Sequence, residues 1–138
     1  MAEILLLEDE EDFANNLKQI MESEAHSVAH FREVTAALEH FELVDVDLVV
    51  ADLFIKKDGQ FERQGGLTLI STIRKIMGRD TPIIAMSGGF SSDFHRSPQM
   101  AMTAVESSKV VGANIALAKP FHPQELLDRI EELLGSIL

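Results

Sequence analysis

The sequence predicts an α/β fold: a three-layer, doubly wound parallel sheet of five strands with helices on both faces. Two observations lead there. Short apolar runs alternate with helix-period segments along the whole chain. Three of those runs are continuous rather than alternating, as strands covered on both faces must be. Strand then helix, five times over, winds into one parallel sheet through right-handed crossovers.

The first strand is Ile4-Leu5-Leu6-Leu7, and the helix after it carries Phe13, Leu17, Ile20 and Met21 at i, i+4, i+7 and i+8. A weaker run, residues 27–31, makes the second strand, followed by a shorter stripe of Val34, Leu38 and Phe41. Leu48-Val49-Val50-Ala51 is the third strand, and Leu69, Ile70, Ile73, Ile76 and Met77 form the stripe of the third helix. Ile83-Ile84-Ala85-Met86 is the fourth strand. The helix after it is marked by Ser97 as N-cap, Pro98 at its first position and Gly112 at its exit, with a sparse apolar face of Met100, Ala104 and Val111. Residues 114–118 make the fifth strand. Leu126, Leu127, Ile130, Leu133 and Leu134 line the last helix, with Pro123 in its first turn and Gly135 just past the stripe.

A chain of 138 residues suits one domain, and residues 1–138 read as a single domain with no output domain attached. No stretch approaches the roughly 20 apolar residues of a membrane span. The opening MAEILLLEDE lacks the basic start of a secretory signal, so the cytoplasm is the expected location. The absence of cysteine excludes disulfides, thiolate metal sites and a cysteine nucleophile. With 23 acidic against 12 basic residues the net charge is −11, which disfavours nucleic acid and anionic membrane as partners and favours cations or basic protein surfaces.

Ligands of such sheets bind at the carboxyl ends of the strands. Here those exits carry Glu8-Asp9 with Glu10, Glu11 and Asp12 behind them, then Asp52, Ser87-Gly88-Gly89 and Lys119-Pro120. Acids after a strand also suit the first turn of a helix, but the exits of strands one and three are neighbours, so Glu8, Asp9 and Asp52 converge. Three clustered carboxylates resist ionising together unless a cation joins them. Mg²⁺ prefers oxygen ligands and binds through one or two carboxylates plus a phosphate. A hydroxyl and small-residue N–H groups at Ser87 and Gly88, with a point positive charge at Lys119, supply what a phosphate needs. Carboxylate nucleophile, metal, hydroxyl and lysine together point to phosphoryl transfer onto an aspartate. The acidic first exit argues against a nucleotide loop, which places glycines and hydroxyls there. Histidines 26, 30, 40, 95 and 122 are not at ligand spacing and read as surface or core residues.

These residues resemble the receiver domains of two-component response regulators, in the single-domain, chemotaxis-regulator-like form. The likeness runs through ILLLEDEEDF, DLVVADLF, TPIIAMSGG and GANIALAKPFHPQELLDRI. It implies a flavodoxin-like (βα)5 sheet of strand order 2-1-3-4-5. It implies that Asp52 is phosphorylated, that Asp9 binds Mg²⁺ directly and Glu8 through water, and that the Phe54 carbonyl completes the protein ligands. Ser87 and the Gly88 N–H would hold phosphoryl oxygens, Lys119 would bridge acceptor and phosphate, and the Lys119–Pro120 bond would be cis. The implied donor is a sensor histidine kinase or histidine phosphotransfer protein, and the implied receiver of the signal is a downstream protein, reached by contact or onward phosphotransfer. No catalysis beyond the domain's own phosphorylation and dephosphorylation is expected.

The chain departs from the family pattern in three places. Ala116 stands where an aromatic switch usually lies, residues 53–65 make a long acceptor loop, and residues 88–97 make another, bearing Phe90 and Phe94. Two other readings stand beside it: a protein-binding module of the same fold that works without phosphorylation, which Ala116 favours, and a metal-dependent phosphatase that passes through an aspartyl-phosphate on a related α/β fold. The phosphatase would usually carry a second acid two residues past the nucleophile, where Phe54 stands.

Overall fold

A computed structural model describes residues 1–53, 65–87 and 112–135, together with the backbone pairing of 56–57 and 60–61. Phe54, Gly88, the loop 88–97 with Phe90 and Phe94, and the helix expected from Ser97 up to Gly112 lie outside the described residues.

The elements run β1 (Glu3–Leu7), α1 (Glu11–Ser23), β2 (Ser27–Phe31), α2 (Val34–Leu43), β3 (Leu48–Asp52), β4 (Lys56–Lys57), β5 (Gln60–Phe61), α3 (Gly66–Ser71), β6 (Ile83–Ser87), β7 (Ile115–Ala118) and α4 (Pro123–Gly135). Five strands form one parallel sheet in the order β2-β1-β3-β6-β7, the order 2-1-3-4-5 expected once the small hairpin is set aside. Because successive side chains point to opposite faces, the sheet has two cores. Leu5, Leu7, Val49, Ala51, Ile83 and Ala85 pack with α2 and α3. Ile4, Leu6, Leu48, Val50, Ile84 and Met86 pack with α1 and α4. Every residue of β3 and β6 is buried, which is why those runs are continuously apolar up to the polar residue that closes each. No described helix is long and apolar enough to cross a membrane.

Two elements differ from the sequence reading. The stretch expected as loop 53–65 contains an antiparallel hairpin, Lys56–Lys57 against Gln60–Phe61. The third helix continues from α3 as a π-helical turn, Thr72–Ile76, in which the Met77 N–H reaches back to the Thr72 carbonyl at 2.9 Å. The extra residue in that turn rotates Ile76 off the expected stripe, and it is 81% exposed while Ile73 is fully buried. Arg74, in the same turn, donates to the carbonyls of Gly112 (3.0 Å) and Arg79 (2.8 Å) and to Asn114 Oδ1 (2.9 Å). Asn114 Oδ1 also accepts the Ile83 N–H at 2.8 Å, so one guanidinium ties this helix to the starts of β6 and β7.

Helix α1 ends in a Schellman turn: the Ala25 N–H reaches the Glu22 carbonyl at 3.0 Å and the His26 N–H reaches that of Met21 at 3.3 Å. Ala25 therefore sits at φ 68°, a left-handed conformation in which its Cβ is unfavourable. Ala25→Gly removes that clash at some cost in unfolded-chain entropy, and should raise stability by about 0.5–1 kcal/mol in urea titration.

Candidate functional site

Strand register assembles the site. Leu7 pairs with Ala51, so the next residue of each strand, Glu8 and Asp52, emerge side by side. Each exit is anchored by its neighbour's backbone. The Glu8 N–H donates to the Phe31 carbonyl (3.0 Å), that of Leu53 to Met86 (2.9 Å) and that of Lys119 to Ser87 (2.8 Å). His30, one residue before the end of β2, adds a bond from Nε2 to the Glu8 carbonyl at 2.7 Å. A carbonyl only accepts, so this nitrogen carries the proton.

Carboxylate oxygens of Glu8, Asp9 and Asp52 all lie within 4.8 Å of one another. Lys119 Nζ joins two of them, donating to Asp52 Oδ2 at 2.9 Å and to Glu8 Oε2 and Oε1 at 3.1 and 3.3 Å. Glu8 and Asp52 are buried and Asp9 is half-buried. Burial above all, with the neighbouring Asp52, pushes the Glu8 carboxyl up to about 9, although Lys119 pulls the other way. Burial alone would lower the Lys119 ammonium, but Asp52 and Glu8 together more than offset it and hold it above the usual lysine range. A site with three acids around one lysine has room in its charge balance for a further cation.

The Ser87 side chain is buried at the end of β6, and its hydroxyl has no hydrogen-bond partner among the described residues. A buried hydroxyl without a partner is costly, so it is available to a group entering the pocket. The Lys119–Pro120 bond is cis. Ala116 lies on β7, partly buried against the α2 and α3 core. The donor set fits Mg²⁺: three hard carboxylates with exposure on the Asp9 side, and no soft ligand. The structure thus brings together Glu8, Asp9, Asp52 and Lys119, with Ser87 on the neighbouring strand exit. Phe54 and Gly88 are not among the described residues.

Three contributors escaped the sequence reading. His30 sits on a strand whose weak apolar pattern hid its side-chain role. Gly66 opens α3 against the Asp52 backbone, where an added Cβ would lie 2.3 Å from the Asp52 carbonyl oxygen. Phe13 fits the apolar stripe of α1 by spacing, yet its ring lies under the lysine, with Lys119 Nζ 4.2 Å from its centroid.

Comparison with known proteins agrees with this geometry. A model of the response regulator receiver domain family matches residues 4–131. The regulatory protein VanR of Enterococcus faecium is 25% identical over 132 residues, covering 95% of this chain and 49% of that protein. The chain thus spans about half the length of that curated relative. Among solved structures, the receiver domain of NtrX from Brucella abortus is 25% identical with a TM-score of 0.78, covering 96% of this chain and 98% of that one. The receiver domain of a signal transduction histidine kinase from Syntrophus aciditrophicus shares the fold at 24% identity and a TM-score of 0.78, covering 99% and 92%.

Proposed function

Because the chain belongs to the response regulator receiver domain family, we propose that Asp52 is its phosphoacceptor and that it acts as a signalling regulator switched by phosphorylation. Receiver domains accept phosphoryl groups, interact with histidine kinases or phosphotransfer proteins, and generally use Mg²⁺ at an acidic pocket. The observation that carries the assignment is the meeting of Asp52 with Lys119 at 2.9 Å inside a cluster of three carboxylates.

A phosphohistidine donor would lose its P–N bond as an Asp52 oxygen forms the new P–O bond, and the leaving imidazole would keep the electron pair. Lys119 holds the acceptor carboxylate and meets the negative charge of the incoming group. The Ser87 hydroxyl donates to a phosphoryl oxygen. Glu8, Asp9 and Asp52 would hold Mg²⁺, with the Phe54 carbonyl as the remaining protein ligand, and the ion would neutralise charge on the phosphoryl oxygens. The Gly88 N–H completes the phosphate contacts in this reading. Signal then leaves through a downstream protein, by contact or onward transfer.

Incubation with acetyl phosphate and Mg²⁺ should add the mass of one phosphoryl group, on the peptide containing Asp52, and a chelator should prevent it. No gain from either acetyl phosphate or a phosphorylated histidine protein would favour the phosphorylation-independent binding module instead.

The raised Glu8 carboxyl sets a pH dependence. Its folded value, about 9, lies above the ordinary 4.5. Its contribution to metal-free stability is therefore fully present below about pH 4.5 and is lost as pH rises through about 9. Mg²⁺ must displace that proton, so its affinity should climb across the same window, by up to about tenfold per pH unit, with proton release on binding. Calorimetry in buffers of differing ionisation enthalpy measures the release. Glu8→Gln should flatten the climb, and an equally steep climb in that variant would exclude Glu8 as its source.

A further inference from the structure

Helix α1 presents Phe13 to the pocket with its ring face under the ammonium of Lys119, 4.2 Å from Nζ to centroid. Phe121, two residues past the lysine, meets that ring edge-on, with centroids 6.0 Å apart and planes at 70°. Both rings also pack against the α1 and α4 core, so the ring under the lysine is fixed from two sides. The Lys119 side chain is only 18% exposed. A cation over a ring face gains most when water is excluded from it.

We propose that Phe13 is a positioning residue for Lys119, holding the ammonium over the acceptor pocket by a cation–π contact as its hydrogen bonds change. The role rests on the reading of Asp52 as phosphoacceptor. In the structure the ammonium is shared between Glu8 and Asp52. To meet an arriving phosphoryl oxygen it must give up part of that contact. A ring face attracts the cation without fixing any one N–H direction, so Lys119 can turn from Glu8 to phosphate without leaving Phe13. A hydrogen-bonding side chain in place of Phe13 would have to be broken for the same turn. Phe13 thereby lowers the cost of moving a buried charge within the site.

Mono-, di- and trifluorophenylalanine in place of Phe13 keep the ring's shape while weakening the negative potential of its face. The initial rate of phosphorylation by acetyl phosphate should fall stepwise along that series, and Phe13→Leu should lose roughly tenfold. In the unphosphorylated protein the ε-CH₂ protons of Lys119 should show an upfield ring-current shift that Phe13→Leu abolishes. Equal rates across the fluorinated series would reduce Phe13 to an apolar wall and overturn the proposal, as would the absence of the ring-current shift. Failure of the wild type to take up phosphate would sink the phosphoacceptor reading and the positioning role with it, while a retained shift would still establish the contact.

Discussion

An Asp52→Asn protein should take up no phosphoryl group from acetyl phosphate with Mg²⁺, and should nevertheless be at least as stable as the wild type when metal is absent. The first half follows from removing the attacking oxygen pair. The second follows from charge. Asp52 and Glu8 share one ammonium, Lys119, in a buried site with Asp9 close by. Neutralising Asp52 removes a neighbour that helps to raise the Glu8 carboxyl, so Glu8 ionises more readily and can take over the pairing with Lys119 without a competing carboxylate beside it. Buried charges are costly when imperfectly balanced, so the substitution relieves the fold while it removes the acceptor. Mg²⁺ should then give little thermal stabilisation, whereas in the wild type a saturating ion at 100 times its Kd contributes about 2.7 kcal/mol. Thermal denaturation with and without Mg²⁺, beside intact-mass analysis, separates the two effects. A variant that labels as well as the wild type would refute the assignment of Asp52.

Gly66→Ala should cost about 3 kcal/mol and cut phosphorylation by roughly a hundredfold. The cause is steric. A Cβ at position 66 would lie 2.3 Å from the Asp52 carbonyl oxygen, 2.8 Å from its carbon and 3.0 Å from Leu53 Cα. All three atoms are backbone, so no side chain can swing aside. Either α3 lifts from the sheet, exposing Leu69 and Ile70, or the end of β3 moves and takes the acceptor away from Lys119. Gly135→Ala is the control, because a Cβ there meets nothing within 4 Å. Similar urea midpoints for the two variants would show that α3 does not press on the acceptor strand.

The parallel strands were legible because a strand covered on both faces leaves a continuous apolar run, and Leu48 to Ala51 or Ile83 to Met86 can be little else, whereas their order followed from the family resemblance. The acidic exit, Asp52, Ser87 and Lys119 were legible for a related reason: in parallel strands of one sheet the exits share an end, so sequence position becomes spatial position. What escaped depends on angles rather than spacing. The stripe through Ile73 and Ile76 fits an α-helix, and nothing in those residue types announces the π turn that throws Ile76 into solvent. Phe13 satisfies the helical period whether its ring faces the core or a lysine from β7's exit, more than a hundred residues away in sequence. Gly66 is one of eight glycines, and only the approach of the Asp52 backbone distinguishes it.

The sheet is also a partition. Leu5 and Leu6 are adjacent in the chain, yet they belong to apolar clusters that have no buried residue in common. The two clusters reach the pocket by different routes. From the α1 and α4 side comes Phe13, which touches the charge of Lys119 and is itself braced by Phe121. From the α2 and α3 side comes Gly66, which touches the fixed backbone of the acceptor. Drift in one hydrophobic half therefore retunes the electrostatics of the reaction, and drift in the other its geometry. A lineage could adjust the two almost independently, provided the strand ends that both halves share stay where they are.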